Sequence, residues 1–400
     1  MRHLLVVGEG LAGLFAANLA IRRGHRVTLI AQGRGGLSLS HGCLELGSPH
    51  GPWPAEHPYR RAGMERLGLC VEALVQMAAA EGLAFCADMS SPLRLPTAAG
   101  QTYPAHVVPL SMVRGDTRAS IPTLIGGFRD LRDFDPGSCA AGLRRAGFPT
   151  DATILPLPAD AARDLYSTDL ARRFDLEWEA EAVAALWRPH LGDATRLGLP
   201  AVLGLDRRSQ IYSALERSLG IDVFEIPTLP PSVPGLRLER VLREHALKGG
   251  CRLIEGPSVT GRVDGKSGGA RVLGVVATTA GGPRVFDADA VLLASGGFMN
   301  GGLRAFRVGR VSDSVFDLPV DAPSDRSDWV GETLLGSHPY DRMGLRVNER
   351  MQPVDRRGQP FFSNLFVCGG VLAGADRRSE RSRQGIDLVT ADAAVEAASQ

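Results

Sequence analysis

The sequence is poor in several features that would direct it to particular classes of protein. Lys and Arg number 45 against 44 Asp and Glu, so the formal net charge is +1 and the basic excess of a nucleic-acid binder is missing. No apolar run approaches the roughly 18–20 residues that a membrane helix needs. The 6 cysteines are scattered and form no CxxC pair, which excludes the usual zinc and iron–sulfur motifs and indicates a reducing compartment.

Lysine is also nearly absent, since only Lys248 and Lys266 occur among the 45 basic residues. We interpret this as genomic base composition and assign no site from it. No signal peptide is recognised at the N-terminus. We therefore expect a cytoplasmic protein with no metal site, no nucleic-acid partner and only peripheral membrane contact.

The length allows two domains, or one large domain with an insertion. The chain has 400 residues, of which 44% are hydrophobic and 22% charged, as in an ordinary globular protein. We predict a cofactor-binding domain built from residues 1–89 and 226–400. Short strands and proline-containing turns predict an inserted substrate or cap domain at 90–225.

The N-terminus reads as a complete βαβ unit. A buried strand is predicted at His3–Val7, a helix follows, and a second strand is predicted at Arg26–Ile30. The strand-to-helix turn carries GxGxxG, in which Gly8 allows the tight turn, Gly10 lets the backbone approach a phosphate, and Gly13 permits close helix–strand packing.

The first helical turn adds the backbone N–H groups of Leu11 and Ala12 and the positive end of the helix dipole. The pattern predicts binding of a nucleotide or flavin phosphate.

One part of the dinucleotide fingerprint is missing. The second strand should end on an Asp or Glu that holds a ribose hydroxyl, whereas residues 30–36 read Ile-Ala-Gln-Gly-Arg-Gly-Gly. Arg34 could meet a 2′-phosphate, as in an NADP site. Alternatively no adenosine ribose binds there, as with FMN, or it is held differently.

Other glycine and hydroxyl positions extend the candidate cofactor site. A Gly-rich loop follows the second strand, and two later buried strands each run into a glycine turn. Strand ends of this kind suit an open parallel sheet that binds a large cofactor along its carboxyl edge. The additional predicted cofactor-binding residues are Gly33, Ser40, Gly42, Ser295, Gly296, Gly297, Gly369 and Gly370.

These motifs together resemble a known family. The GxGxxG turn, Ala-Ser-Gly-Gly at 294–297 and Asn-Leu-Phe-Val-Cys-Gly-Gly at 364–370 are similar to flavoprotein dehydrogenases related to fumarate reductase and glutathione reductase. More narrowly, Leu-Pro-Pro-Ser-Val-Pro-Gly-Leu-Arg-Leu at 229–238 and Ser-His-Gly-Cys-Leu-Glu-Leu at 40–46 resemble the B subunits of the anaerobic glycerol-3-phosphate dehydrogenases.

The resemblance implies a Rossmann-like, three-layer FAD/NAD(P)-binding α/β fold with an inserted cap domain. It implies FMN as the cofactor, with FAD as the alternative. The reaction would be oxidation of sn-glycerol 3-phosphate to dihydroxyacetone phosphate, with electrons passed toward quinone and then fumarate or nitrate.

The expected partners are a second flavoprotein subunit and an iron–sulfur subunit that tethers the complex to the cytoplasmic face of the inner membrane. Because the cysteines form no cluster motif, electrons would leave this chain through a partner.

The catalytic residues stay unassigned. His41 and His338 are candidate bases for the substrate hydroxyl, and Arg304, Arg307 and Arg383 are candidate phosphate ligands. Two other functions stay open: a self-sufficient soluble FAD- or NADP-dependent oxidoreductase, and a non-catalytic electron-transfer or scaffold subunit.

Overall fold

The chain forms two compact units. A computed structural model describes residues 1–48, 51–158, 164–206, 208–264 and 270–400. The first unit comprises Met1–Gly36, Glu45–Met77 and Leu242–Gln400, and the second comprises Leu37–Leu44 and Ala78–Val241. The second unit thus interrupts the first in sequence. The domain boundaries expected at residues 90 and 225 stay a prediction.

The described strands, in chain order, are β1 (His3–Glu9), β2 (Arg26–Arg34), β3 (Phe85–Ala87), β4 (Leu93–Pro96), β5 (Thr102–Ala105), β6 (Val107–Pro109), β7 (Thr123–Gly127), β8 (Thr150–Ile154), β9 (Arg196–Pro200), β10 (Asp222–Ile226), β11 (Arg252–Glu255), β12 (Ser258–Asp264), β13 (Arg271–Thr279), β14 (Gly282–Asp287), β15 (Ala290–Leu293), β16 (Leu303–Ala305), β17 (Val311–Asp313) and β18 (Leu365–Val367).

The described α-helices are α1 (Leu11–Arg22), α2 (Pro58–Ala62), α3 (Leu67–Ala80), α4 (Leu110–Val113), α5 (Pro136–Arg145), α6 (Ser167–Leu176), α7 (Ala180–Trp187), α8 (Arg208–Leu219), α9 (Val233–Lys248) and α10 (Arg383–Ser399). In the described parts of the chain, no helix combines the length and apolarity that crossing a membrane requires.

A five-stranded parallel sheet organises the first unit. Its strand order is β11-β2-β1-β15-β18. The chain thus adds β2 and β11 on one side of β1 and then β15 and β18 on the other side. Leu4, Leu5 and Val6 of β1 are fully buried, as the continuous apolar run predicts for a central parallel strand. The reversal of strand order lies between β1 and β15, where open α/β sheets bind their ligands.

Helices and a second sheet accompany this parallel sheet. α1 and α10 pack against each other, and both contact its strands. α10 is rich in small residues, with Ala391, Ala394 and Ala398 fully buried. The antiparallel sheet β12-β13-β14 contacts the parallel sheet through β13 and β15 and through β12 and β2. The α/β class and the Rossmann-like parallel sheet predicted from the sequence are confirmed.

The second unit has a parallel sheet of its own, ordered β10-β9-β7-β8. Its core joins these strands to α5, α6, α7 and α8 and includes the fully buried Trp187 and Phe174. This unit contains a buried ion pair: the Arg237 guanidinium contacts both carboxylate oxygens of Glu225, and Arg237 Nε donates to the Gly204 carbonyl at 2.7 Å. A buried pair of this kind is stable only while both partners are present.

Candidate cofactor site

The first glycine turn (Gly8–Gly13) joins β1 to α1. Gly8 has φ +111°, in the left-handed region, and a Cβ there would overlap the Ala294 carbonyl. A Cβ on Gly13 would overlap the Gly8 carbonyl. Both positions therefore require glycine. The backbone at Gly8 touches the segment that follows β15, and the backbone at Gly13 in α1 touches the turn itself.

Gly10 differs from its neighbours because it faces open space. A Cβ at this position would meet no heavy atom of the described residues within 4 Å. Gly10 is also the N-cap residue of α1, and among the described residues no side-chain hydrogen bond caps that helix end. The N–H groups of Leu11 and Ala12 therefore lie at a helix start that carries partial positive charge. The open approach and the uncapped helix start fit a phosphate group.

The second glycine turn (Ala294–Gly297) follows β15. Ala294 N donates to Val7 O at 2.8 Å, which holds this turn beside the end of β1. Gly296 has φ +79°. The Ser295 hydroxyl is buried and has no hydrogen-bond partner in the described parts of the protein. An unpartnered buried hydroxyl at this edge of the sheet fits a polar cofactor group as its partner.

The third glycine turn (Cys368–Gly370) follows β18 and contacts the other two. Gly369 has φ +76°, and a Cβ there would lie 2.7 Å from the Ala12 Cβ. A Cβ on Gly297 would lie 3.1 Å from the Gly370 carbonyl oxygen. The structure therefore brings all three glycine turns together at the carboxyl edge of the parallel sheet.

The loop after β2 contributes a glycine that the sequence pattern does not single out. A Cβ on Gly35 would overlap Gly10 Cα, and Gly35 N donates to Glu9 O at 3.3 Å. Gly33, which the sequence predicts as a cofactor-binding residue, faces open space, since a Cβ there would meet no atom of the described residues within 4 Å, and its role stays a prediction. Glycine density in residues 33–36 marks this loop, but it does not show which glycine packs against the first turn.

Ser40 and Gly42 belong to the second unit. Gly42 N donates to Ser40 Oγ at 3.3 Å, and a Cβ on Gly42 would lie 2.5 Å from Pro234 Cβ at the start of α9. A Cβ on Gly235 would overlap the Leu37 carbonyl. The two short segments that carry the narrower family resemblance therefore pack against each other.

A largely buried ion pair at the third turn is not apparent from the sequence. Arg377 contacts the carboxylate of Asp387 and donates to the Arg383 carbonyl at 2.8 Å. Burial raises the pKa of the Asp387 carboxyl, and the charges of Arg377 and Arg383 oppose that rise. A Cβ on Gly370 would overlap an Arg377 nitrogen. Residues 377–383 are dense in arginine, so the sequence does not distinguish Arg377 from its neighbours.

Two acids and two arginines form a network at the ends of β1, β2 and β11. Arg243 of α9 lies 3.0 Å from the fully buried carboxylate of Glu9 and 2.8 Å from Glu255 Oε2. Arg34 Nε lies 3.4 Å from Glu255 Oε1. The hydrogen bond from Arg243 is the main reason why the pKa of Glu255 is below its ordinary value.

The two candidate histidines have different surroundings. His338 is buried: its Nδ1 accepts a hydrogen bond from Gly331 N at 2.9 Å, and its Nε2 lies 3.1 Å from the Leu334 carbonyl oxygen. With both ring nitrogens engaged, His338 is held as a structural residue. His41 is half-buried, accepts from Cys43 N at 3.1 Å and lies 4.6 Å from the Tyr103 ring.

The candidate phosphate ligands are exposed and separate along the chain. Arg304 lies on β16, where it is in register with Ser312 of β17, and Arg307 follows that strand. Arg383 begins α10. Burial raises the pKa of Glu45, and the positive charges of Arg381 and Arg383 oppose that rise. The roles of Arg304, Arg307 and Arg383 as phosphate ligands stay a prediction.

The structure records no disulfide among the six cysteines, all of which lie in its described ranges. Burial raises the pKa of Cys251 to about 11 and that of Cys139 to about 12, so both are thiols at neutral pH. Within the described ranges, no three His, Cys, Asp or Glu side chains come together as a candidate metal site.

Comparison with known proteins identifies the family. The family described as FAD binding domain matches residues 47–382. A protein of Halobacterium salinarum, named as the probable B subunit of anaerobic glycerol-3-phosphate dehydrogenase, is 30% identical, covering 100% of this chain and 98% of the relative. The B subunit of the anaerobic glycerol-3-phosphate dehydrogenase of Yersinia enterocolitica is 27% identical over 97% of this chain and 96% of its own length.

Among solved structures, the 3-ketosteroid Δ1-dehydrogenase of Sterolibacterium denitrificans aligns over 100% of both chains with 12% identity and a TM-score of 0.45. The predicted family resemblance and the prediction of a flavin cofactor are confirmed by the family match and the full-length relatives. The chain therefore belongs to the FAD-binding family of flavin-dependent oxidoreductases, in the group of proteins named as B subunits of anaerobic glycerol-3-phosphate dehydrogenase.

Proposed function

We propose that this chain is a flavin-containing subunit of an anaerobic sn-glycerol-3-phosphate dehydrogenase complex and oxidises glycerol 3-phosphate to dihydroxyacetone phosphate. The observation that carries the proposal is the meeting of three glycine turns at the strand-order reversal of the parallel sheet. Full-length similarity to relatives named as glycerol-3-phosphate dehydrogenase subunits supports glycerol 3-phosphate as the substrate.

The cofactor-binding residues of the proposal lie at these turns. Backbone N–H groups of Leu11, Ala12 and Gly13 would hold the flavin phosphate, which approaches closely because Gly10 has no side chain. Ser295 Oγ would donate to or accept from a polar cofactor atom, which satisfies an otherwise unpartnered hydroxyl.

The remaining members are the turn glycines Gly8, Gly296, Gly297, Gly369 and Gly370. Gly33, Ser40 and Gly42 stay predictions from the sequence.

A bound flavin supplies the redox chemistry by accepting a hydride. For glycerol 3-phosphate, the C2–H bond breaks as the hydride leaves, the C2 hydroxyl loses its proton to a base, and the product carbonyl forms. His41 stays a candidate base without an assigned role, whereas both ring nitrogens of His338 are engaged in structural contacts.

Electrons would pass from the reduced flavin to partner subunits and toward quinone, then fumarate or nitrate. The proposed partners are a second flavoprotein subunit and an iron–sulfur subunit at the cytoplasmic face of the inner membrane. The relatives are named as subunits of an enzyme, which supports an assembly. Co-purification of a tagged chain with both partners from a membrane fraction tests this part.

Anaerobic substrate reduction tests the activity. The holoprotein, alone and with its co-expressed partners, is mixed with sn-glycerol 3-phosphate while the visible flavin absorbance is followed. Bleaching by this substrate but not by glycerol or sn-glycerol 1-phosphate is the expected result.

Steady turnover by the isolated chain with a nicotinamide acceptor would instead support a self-sufficient oxidoreductase. Protein that neither contains nor takes up FMN or FAD would contradict the proposal.

A further inference from the structure

An acid stands beside the end of β2, although β2 itself carries none. β11 pairs in parallel with β2, and Glu255 is in register with Ala31. Adjacent strands lie about 4.8 Å apart, so Glu255 is one strand away from the position where a ribose-binding acid is expected. Gly256 N donates to Ala31 O at 2.9 Å, which extends the pairing to the end of the sheet.

Two arginines hold the Glu255 carboxylate in place. Arg243 binds Oε2 at 2.8 Å and Arg34 approaches Oε1 at 3.4 Å. An ionised carboxylate has about four lone-pair positions, so these contacts leave acceptor capacity for a ligand. The Glu255 side chain is 33% exposed, which makes it reachable from solvent.

The same arginine links Glu255 to the first glycine turn. Arg243 lies 3.0 Å from Glu9, the residue between Gly8 and Gly10. Glu9 also accepts, through its carbonyl, the hydrogen bond from Gly35 N at 3.3 Å. Glu255 therefore belongs to the same edge of the sheet as the phosphate-binding turn.

We propose that Glu255 binds the ribose hydroxyls of an adenosine, in place of the missing acid on β2, and that the flavin is consequently FAD. The inference rests on the proposed function in that it requires a flavin at this edge. FMN has no adenosine and would therefore offer no adenosine ribose to Glu255. A 2′-phosphate is disfavoured at the same place because the Glu255 carboxylate repels it and compensates Arg34.

Cofactor identity and a matched pair of variants test the proposal. Flavin released from the purified protein by denaturation is identified by chromatography, and the affinities of the flavin-free protein for FAD and FMN are measured for wild type, Glu255→Gln and Glu244→Gln. Glu244 is a suitable control because it lies beside Arg243 on α9 and pairs with Lys248 on the exposed surface at 2.9 Å.

The expected result is FAD at about one per chain, with FAD affinity at least ten-fold weaker in Glu255→Gln, because a hydrogen bond to a charged group is lost. FMN affinity should stay within about two-fold in both variants. The variant should fold, because Arg243 keeps Glu9 as its partner; thermal unfolding of the flavin-free proteins checks this.

Stoichiometric FMN in the purified protein, or equal FAD affinity in wild type and Glu255→Gln, would overturn the inference while leaving the proposed function intact. Tight NADPH binding that Arg34→Ala abolishes would also overturn it. Absence of any flavin would instead remove the proposed function itself.

Discussion

Replacing Gly10 by alanine separates cofactor binding from folding. The added methyl meets no atom within 4 Å in the part of the chain that the structure describes, and the native φ of −80° at Gly10 is one that alanine adopts readily. We expect Gly10→Ala to fold normally and to lose flavin affinity, because the methyl occupies the space through which a phosphate approaches the start of α1.

The expected change in the free energy of unfolding of Gly10→Ala is small. Alanine is a poorer N-cap than glycine, which destabilises the fold by about 0.5–1 kcal/mol. Alanine also has less backbone freedom in the unfolded chain, which stabilises the fold by about 0.4–1 kcal/mol. The free energy of unfolding should therefore change by less than about 1 kcal/mol, which shifts Tm by roughly 2–4 °C or less in a domain of this kind.

The expected change in the flavin affinity of Gly10→Ala is large. Hydrogen bonds from the first helical turn to a phosphate are charge-assisted, and losing one costs about 1.5–3 kcal/mol. Flavin affinity should therefore fall about 10–150-fold. Fluorescence titration of flavin-free protein gives the affinity, and unfolding of the same flavin-free protein gives the stability, since a bound ligand would itself raise Tm.

Gly68→Ala and Gly13→Ala serve as controls. Gly68 lies in α3 and is equally open, so its variant should keep wild-type flavin affinity. Gly13→Ala would overlap the Gly8 carbonyl and should lose stability, by about 1–3 kcal/mol or more. Wild-type flavin affinity in Gly10→Ala, or a loss that appears only with a large drop in Tm, would refute the reasoning.

Three further predictions concern single side chains. Ser295→Ala should weaken flavin binding several-fold without lowering the Tm of the flavin-free protein, because the buried hydroxyl has no partner to lose among the described residues; a lower Tm with unchanged binding would contradict this. Arg237→Met should destabilise the protein by about 3–5 kcal/mol in chemical denaturation, because it leaves Glu225 buried and unpaired, and adding Glu225→Gln should recover part of the loss; equal stability of the single and double variants would contradict the pairing. The lowered pKa of Glu255 predicts that its ion pairs stabilise the fold fully above the ordinary carboxyl pKa of 4.5 and are lost as the pH falls through the lower folded value. The stability difference between wild type and Glu255→Gln should therefore shrink in acid, and a difference that grows there would have the wrong sign.

The parts of the site that depend on local sequence were predictable. Gly8, Gly10 and Gly13 follow an apolar strand and precede a helix, and each later turn follows a buried run that ends in glycine, so chain neighbours alone indicate a strand-to-turn transition. The parallel sheet follows from several such units.

The missed residues depend on contacts between distant segments. Glu255 becomes a candidate site residue only because β11 pairs with β2. Arg377 becomes one only because its side chain lies against Gly370. His338 has the residue type of a base, yet its hydrogen bonds to Gly331 and Leu334 could not be inferred from its sequence neighbours.

The strand order of the first unit also constrains when this protein can finish folding. Leu4 pairs with Ala290, and Val291 pairs with Leu365, so the sheet joins segments that are far apart in sequence. Contacts this far apart in sequence form slowly, because large loops must close first. The ribosome must therefore synthesise residues 1–367 before β18 can complete the sheet. We expect the second unit, contiguous over Ala78–Val241, to acquire structure during synthesis, and flavin to enter only afterwards.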